Sequence, residues 1–256
     1  APDRNVPSRT GASQQEPRLF LPPHCRDRIS AQTGAALQYP NKFGIARALH
    51  YLYRAKPDAT MKNIVFDLGG VLFARDRNKC TQEFIDFFAF IRSERMPRFW
   101  EEYDRGTSTL DEVTDTLCAM HGCPRAECEA NLRRSIDLQE TVKPTERLVY
   151  DLKAAGYKLY VLSNMSREFI DFLRRFPVYE LFDGEVVSCE EGTVKPESRI
   201  YEILLERYAL DPAETLFIDD RSANIETAER LGIRGQVFDS HDPEKTCGEL
   251  RNILLK

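Results

Sequence analysis

Residues 64–72 read Ile-Val-Phe-Asp-Leu-Gly-Gly-Val-Leu, an apolar run that ends in a carboxylate on a glycine-rich turn. Such a run, with the breaker pair Gly69-Gly70 close behind it, is typical of a buried strand followed by a tight turn. Asp67 is therefore the first candidate for chemistry. A lone carboxylate after a strand is common in turns, so a functional interpretation needs partners elsewhere in the chain.

Three later segments place other polar groups in comparable positions. They are 161–164 (Val-Leu-Ser-Asn), 194–196 (Val-Lys-Pro) and 216–220 (Leu-Phe-Ile-Asp-Asp), with Asn224 following the last. In a parallel α/β sheet the carboxyl ends of the strands gather along one edge, and ligands bind in the crevice beyond that edge. The pattern thus predicts one site that collects a carboxylate, a hydroxyl, an amide, a lysine and two adjacent carboxylates.

In these segments the chain resembles the haloacid dehalogenase superfamily of hydrolases, over roughly residues 61–256. The four motifs of that superfamily correspond in order to Asp67 with its turn, Ser163, Lys195 and the pair Asp219-Asp220. The stretches FDLGGVLF, VLSN, GTVKPESRIY and FIDDRSANIETA are similar to the bacterial branch that includes glucose-1-phosphatases. The resemblance implies an α/β fold with a Rossmann-like, mainly parallel sheet flanked by helices and a small inserted helical cap.

The resemblance also implies phosphoryl transfer through an aspartyl phosphate on Asp67. Two anions repel as they approach, so a hard divalent cation, Mg²⁺, is expected between the nucleophile and the phosphate. Its expected ligands are Asp67, Asp220 and the backbone carbonyl of Gly69.

Further side chains complete the expected site. Ser163 and Asn164 are expected to bind phosphate, the latter together with the amides that follow it at a helix start. Lys195 would add positive charge, and Asp219 would orient that lysine or a water on the metal. Asn224 could bond the loop that carries the last motif. Singly, such residues could also cap helices or lie on the surface, whereas their order and their places at strand ends favour a shared site.

Gly69 departs from the pattern of the superfamily. Most of its phosphatases carry a second aspartate at this position, which protonates the leaving group and later activates water. General acid-base catalysis contributes typically about 10²–10⁴-fold, so its loss weakens turnover without abolishing it. A leaving group that departs with little protonic help, such as the anomeric oxygen of a sugar 1-phosphate, would suffer least. Asp76 is the nearest replacement in sequence, although it could equally cap a helix starting near Cys80.

About 95 residues separate the first motif from the second, far more than one crossover needs, which predicts an inserted module. The expected division is an α/β core at 61–78 and 143–256, with a helical cap at 79–142. Three apolar stripes at helical spacing support the cap: Phe84, Phe87, Phe88 and Ile91; Leu110, Val113 and Leu117; and Cys128, Leu132 and Ile136. Thr109 and Glu112 form a capping-box pattern. Trp100 and Tyr103 are predicted to be cap core, with substrate contact as the alternative.

The first sixty residues differ in kind, with nine lysines and arginines against four aspartates and glutamates. We expect a disordered basic extension there, with an organellar transit peptide as the minor alternative to a cytoplasmic protein. Residues 61–256 carry 27 basic and 37 acidic side chains, so their net charge is negative. Because the overall field would repel an anionic substrate, a local metal ion and a lysine are expected to attract it. A small phosphorylated metabolite is the expected partner. Neither nucleic acid nor a membrane span is expected, and the oligomeric state is not readable.

Three functional interpretations remain open at this point. The first is a Mg²⁺-dependent phosphatase of a small phosphomonoester, plausibly a sugar phosphate. The second is a haloacid dehalogenase, which also uses an aspartate nucleophile but attacks carbon without a metal; the adjacent carboxylates Asp219 and Asp220 favour the metal-dependent reaction. The third is a phosphate-binding regulatory module that has lost turnover, with Gly69 as the mark of that loss.

Overall fold

The computed structural model describes residues 61–93 and 96–255, so the predicted basic extension at 1–60 lies outside the described residues. Seven strands are present: β1 (Asn63–Phe66), β2 (Phe73–Arg75), β3 (Gln139–Thr141), β4 (Lys158–Ser163), β5 (Gly184–Val187), β6 (Thr215–Asp219) and β7 (Arg234–Val237). Five of them form one parallel sheet in the order β5-β4-β1-β6-β7. The predicted α/β class and the mainly parallel sheet are confirmed.

Ten helices accompany the strands in the described ranges. They are α1 (Gln82–Phe87), α2 (Arg98–Asp104), α3 (Leu110–His121), α4 (Arg125–Asp137), α5 (Lys143–Ala154), α6 (Arg167–Leu173), α7 (Ser188–Glu191), α8 (Ser198–Tyr208), α9 (Ser222–Arg230) and α10 (Pro243–Leu254). Short 3-10 turns occur at Arg77–Lys79, Ala89–Arg92, Pro177–Leu181 and Pro212–Glu214.

The three central strands β1, β4 and β6 are buried on both faces of the sheet, which explains why they read as mainly apolar runs. Alternate residues of β1 point to opposite sides: Ile64 and Phe66 join a cluster with α5, α6 and α10, whereas Val65 joins one with α8 and α9. Every residue of β1 and of β6 is buried. The core therefore fixes the central strands at the point where the polar groups of the candidate site follow them.

The chain between β2 and β3 forms helices α1 to α4, which pack around their own aromatic cluster. Trp100 lies at its centre, 5% exposed, with ring contacts to Phe88, Phe90, Phe99, Tyr103 and Phe169. Phe169 belongs to α6 of the core, so this cluster continues across to the α/β part. Trp100 and Tyr103 are thus core residues of the inserted helices, as predicted.

Strands β2 and β3 pair antiparallel, with Phe73 opposite Thr141, and bring the two ends of the inserted segment together. These strands were not anticipated from sequence because each spans only three residues. They flank the expected cap, whose boundaries at 78/79 and 142/143 stay a prediction. No helix in residues 61–93 or 96–255 combines the length and the apolar character that a membrane crossing requires.

The local predictions for the inserted helices agree with the structure at two places and differ at one. The capping box at Thr109 and Glu112 is present at the start of α3. Helix α4 begins directly after Pro124, as expected. The stripe from Phe84 to Ile91 is not one helix, because α1 ends at Phe87 and a 3-10 turn follows.

Candidate active site

The carboxyl edge of the sheet brings together the polar residues that follow its central strands. β1 lies between β4 and β6, with Phe66 opposite both Val161 and Ile218. Asp67 therefore comes next to Ser163 on one side and Asp219 on the other. All three side chains are buried, and the neighbouring Lys195 is buried with them.

Asp67 is held through one of its two carboxylate oxygens. The backbone N–H of Leu68 and the hydroxyl of Ser163 each donate to Oδ1 at 2.7 Å, and Lys195 Nζ lies 2.9 Å from the same atom. Within the described part of the chain, no hydrogen bond reaches Oδ2. Oδ1 is thus fixed by three donors while Oδ2 is left for an incoming group.

Lys195 uses all three of its donors on the surrounding site. Besides Asp67, its ammonium contacts Asp219 Oδ2 at 2.7 Å and donates to the carbonyl of Leu162 at 2.8 Å. Burial disfavours the charged form, but the carboxylates of Asp219 and Asp67 outweigh burial and raise the pKa of Lys195. The lysine is therefore a fixed positive charge beside Asp67.

Two asparagines have roles other than those expected from sequence. Asn164 forms a reciprocal pair with the backbone of Lys195, donating from Nδ2 to its carbonyl at 2.9 Å and accepting from its N–H at 2.7 Å. Its amide thus positions the lysine loop. Asn224 donates to both oxygens of Asp219, at 3.0 and 2.9 Å, rather than to the loop of Asp220.

Asp67, Asp219 and Asp220 each offer an oxygen within 4.8 Å of the others. Since Lys195 and Asn224 already occupy Asp219, the carboxylates of Asp67 and Asp220 are the ones that could hold a cation. Burial and the negative charges of Asp67 and Asp219 raise the pKa of Asp220 to about 7. An all-oxygen donor set with excess negative charge suits a hard divalent cation such as Mg²⁺.

Gly70 gives the Asp220 carboxylate the space it needs. Its φ is +77°, a backbone conformation that favours glycine, and a Cβ added there would lie 2.5 Å from Asp220 Oδ2. Gly69 is different: its φ is not positive, and a Cβ there would meet only Met165 Cε at 3.9 Å. A side chain is therefore excluded at the second glycine of the turn and tolerated at the first.

A cavity of about 1410 Å³ opens from this edge toward the inserted helices. Its floor includes Asp67, Lys195 and Asp220. Its walls have an apolar and aromatic part, formed by Phe73, Phe84, Ile85, Phe88, Ile91, Met96, Trp100, Met165 and Phe169. They also have a polar and charged part, which includes Arg75, Glu101, Gln139, Arg221 and His241. Both the polar edge and the inserted helices thus contribute to one chamber.

Asp76 does not line this cavity. Its Oδ1 accepts from the N–H of Asn78 at 2.9 Å and so caps the turn at Arg77–Lys79. The following helix α1 is capped by Thr81 instead. Two roles were considered for Asp76 from sequence, a replacement acid and a helix cap. Its contacts are those of a cap, although it caps the turn at Arg77–Lys79 and not the helix expected near Cys80.

Asp104 is a cavity residue that sequence reasoning missed. It lies at the end of α2, is only 9% exposed, and lines the cavity together with Asp67. In the sequence, Asp104 follows Glu101 and Glu102 closely, and nothing in this acidic segment distinguishes it from a solvent-exposed acid. The available signal was Gly106, which ends the helix with a positive φ and so marks where the backbone turns back to the core.

Comparison with known proteins places these observations in a family context. Residues 61–232 match the family model described as haloacid dehalogenase-like hydrolase. A sesquiterpene phosphatase of Aspergillus oryzae is 32% identical over 197 residues, which cover 76% of this chain and 97% of that protein. A D-ribitol-5-phosphate phosphatase of Bacteroides thetaiotaomicron is 28% identical over 208 residues, covering 72% of this chain and 92% of the relative.

Among solved structures, a HAD family enzyme of Bacteroides thetaiotaomicron in complex with magnesium and inorganic phosphate is similar to this chain. The TM-score is 0.56 at 27% identity, with 70% of this chain and 95% of that chain covered.

Proposed function

Because the chain belongs to the haloacid dehalogenase-like hydrolases, we propose that it hydrolyses a phosphate monoester by nucleophilic attack of Asp67 on phosphorus. One observation carries this proposal above the others. The Asp67 carboxylate is fixed through Oδ1 by three donors, one of them the Lys195 ammonium, and Oδ2 accepts no hydrogen bond from the described residues. A nucleophile held in one orientation next to a buried positive charge is suited to an anionic electrophile.

The reaction that these residues support has two steps. In the first, Asp67 Oδ2 bonds to phosphorus and the ester P–O bond breaks, giving an aspartyl phosphate and the departing oxygen, which takes up a proton to become the alcohol. In the second, water attacks the phosphorus of that intermediate, releases orthophosphate and restores the carboxylate. Lys195 balances charge on the phosphoryl oxygens in both steps, and Asn164 and Asp219 keep the lysine in place.

We propose Mg²⁺ as the cofactor, held by Asp67, Asp220 and the backbone carbonyl of Gly69. The cluster of three carboxylates with a single lysine supports this choice, as does the magnesium in the complex of the related Bacteroides enzyme. When bound, the cation supplies charge neutralisation at the phosphate and favours the ionised forms of both aspartates. Ser163 then contributes by holding Asp67 Oδ1.

Two substrate classes have support. A small sugar or polyol phosphate follows from the resemblance of the motifs and from the ribitol-phosphate relative. The aromatic walls of the cavity favour a second class, a phosphate ester with a large apolar alcohol, as in the sesquiterpene phosphatase relative. A polyol would leave most of these apolar walls without a matching surface, whereas a hydrocarbon chain would be buried against them.

The test is phosphate release by the full chain from a panel of esters, with Mg²⁺ and with a chelator. The panel contains glucose 1-phosphate, ribitol 5-phosphate, farnesyl phosphate and p-nitrophenyl phosphate, with chloropropionate as a substrate for halide release. Metal-dependent phosphate release that Asp67→Asn abolishes is the expected result. Halide release without metal would instead favour the dehalogenase interpretation. Binding of phosphate and Mg²⁺ without turnover of any ester would favour the regulatory module.

A further inference from the structure

Hydrolysis of an unactivated phosphate ester needs a proton for the departing alcohol, and the turn after β1 does not provide one. The position where related phosphatases carry their second aspartate is Gly69, which has no side chain. Among the residues that the structure describes, four acids line the cavity: Asp67, Glu101, Asp104 and Asp220. Besides these acids and water, His241 is the other cavity-lining group that could supply a proton, and it lies on the loop after β7.

Three of these acids are committed elsewhere. Asp67 is the nucleophile, and Asp220 lies beside it as the second carboxylate of the cation site. Glu101 forms an ion pair with Arg105 at 2.9 Å on the same helix. Asp104 makes no ion pair within residues 61–93 and 96–255, and it lines the cavity with only 9% of its surface exposed. It is the acid left for proton transfer.

The end of α2 is fastened to the core at consecutive residues, which fixes where Asp104 lies. The hydroxyl of Tyr103 donates to Glu168 of α6 at 2.6 Å. The backbone carbonyl of Asp104 accepts from the hydroxyl of Ser188 at the start of α7. Two contacts from different core helices therefore bracket the carboxylate.

The next two residues add to this attachment. Arg105 bonds both oxygens of Glu197, at 2.6 and 3.0 Å, and Glu197 lies two residues after Lys195. Gly106 packs so closely on Cys189 that a Cβ there would lie 2.5 Å from its carbonyl oxygen. Asp104 thus belongs by sequence to the inserted helices but is held in register with the lysine loop of the core.

The proton affinity of Asp104 suits this position. Burial raises the pKa of Asp104, and the negative charges of Asp67 and, to a smaller extent, Glu101 raise it further. The backbone N–H of Ser166 and the positive charge of Arg221 partly oppose this increase, and the resulting pKa is about 7. A carboxyl group that titrates near neutral pH can give a proton in one step and accept one in the next. The nearby cations Lys195 and Arg105 are paired with other carboxylates, Lys195 with Asp67 and Asp219 and Arg105 with Glu101 and Glu197.

We propose that Asp104 is the general acid and general base of this enzyme, supplied by the end of α2 in place of an aspartate at position 69. This role rests on the proposed phosphatase function. As Asp67 Oδ2 bonds to phosphorus, the ester P–O bond breaks and the alcohol oxygen takes the proton of Asp104. The resulting carboxylate then takes a proton from the attacking water. The new P–O bond forms, the bond between phosphorus and Asp67 breaks, and orthophosphate leaves with Asp104 protonated again.

Asp104→Asn tests both halves of this role with two esters. The first is the alkyl phosphate that the wild-type protein hydrolyses fastest in the panel, and the second is p-nitrophenyl phosphate, whose phenolate leaves without a proton. For the alkyl ester we expect kcat to fall about 10²-fold or more. For p-nitrophenyl phosphate we expect a burst of one equivalent of phenolate followed by slow turnover, with phosphoenzyme recovered after acid quenching.

Glu102→Gln is the matched control. Glu102 lies on the same helix, makes only an exposed ion pair with Arg98 and does not line the cavity, so the same charge change there should leave both rates within about threefold. Asp104→Ser serves as the second variant if Asp104→Asn does not fold. Rates within threefold of wild type for a folded Asp104 variant on both esters would overturn the assignment.

A rescue separates proton transfer from a structural role. Gly69 has room for a side chain, so Gly69→Asp can restore a carboxylate on the turn after β1. When combined with Asp104→Asn, Gly69→Asp should raise kcat for the alkyl ester at least tenfold above that of Asp104→Asn alone. Gly69→Ala in the same combination should give no increase. Equal recovery by both, or by neither, would overturn the assignment. Failure of the proposed function looks different: wild-type protein would then release no phosphate from any ester, and the role of Asp104 would fall with it.

Discussion

The carboxyl edge of the sheet and the inserted helices contribute to the same cavity by different physical means. At the edge, buried polar atoms are positioned by hydrogen bonds and ion pairs, as with Lys195 between Asp67 and Asp219. In the inserted helices, position is set by aromatic packing around Trp100 and by the attachment at the end of α2. In the proposed function, the edge therefore performs the chemistry, and the inserted helices contribute to the choice of alcohol.

The largest effect should come from the edge. Asp67→Asn keeps the size of the side chain and its acceptor oxygen but removes the nucleophile, so hydrolysis should fall by roughly 10⁴-fold or more, as for other covalent catalysts. Phosphate release under saturating Mg²⁺ measures this, with thermal unfolding as the check that the fold is intact. Retained activity in a folded variant would mean that the edge does not perform the chemistry.

On the side of the helices, Trp100→Ala should have the largest effect on stability. The ring is buried against five other aromatic rings, and its removal should lower the free energy of unfolding by about 3–5 kcal/mol. Urea unfolding followed by circular dichroism gives the value, and Trp100→Phe should cost less. Because Phe169 of α6 shares this cluster, core and inserted helices should unfold in one transition. Two separate transitions would show that the two regions are less connected than the packing implies.

Gly70→Ala probes how closely the turn and the cation site fit. A Cβ would collide with Asp220 Oδ2 and the residue would need a positive φ, so Asp220 must move. We expect Mg²⁺ affinity to weaken by about 10–100-fold, in the range seen when groups that support metal ligands are lost. Titration calorimetry with Mg²⁺ measures it. Gly69→Ala is the matched control, since the neighbouring position has room, and equal losses in both variants would contradict the close fit.

A smaller effect is expected at the opposite end of the sheet, where Asp183 contacts Lys153 at 2.7 Å and accepts from the N–H of Leu159. Burial opposes its ionised form, but these partners and Lys158 outweigh burial and lower its pKa to about 2. A depressed folded-state pKa stabilises the fold above the unfolded value near 3.9, and this contribution is lost as pH falls through about 2.

Asp183→Asn should therefore lower the free energy of unfolding by about 2 kcal/mol at pH 6. The difference from wild type should shrink as the pH of the urea titration is lowered toward 2. A difference that does not change with pH would show that the charge of Asp183 is not the stabilising feature.

The sequence predicted the edge better than the cavity. Apolar runs followed by polar residues mark strand ends, and a parallel sheet must bring those ends together, so Asp67, Ser163 and Asp219 could be placed together before any coordinates. Hydrogen-bond partners were harder to predict, because they depend on loop geometry. Asn164 was expected at phosphate but pairs with the backbone of Lys195.

The helices show what sequence periodicity cannot supply. Spacing identified the capping box at Thr109 and the buried role of Trp100, since both follow from the helix itself. It did not identify Asp104, because the burial of this acid depends on packing against the core, including the contact of its backbone carbonyl with Ser188. That contact is made between segments more than sixty residues apart.

The position of β1 has a consequence for how the chain is made. This strand comes first of the seven yet lies at the centre of the sheet, and Asn63 contacts a partner in β6 that is 152 residues later in the chain. At synthesis rates of about 5–20 residues per second, β1 waits roughly 8–30 s for that neighbour. During that interval one edge of an apolar strand has no native partner, and long-range pairing of this kind is slow even once synthesis is finished. The strand that carries the nucleophile is therefore the one most dependent on protection while the protein is being made.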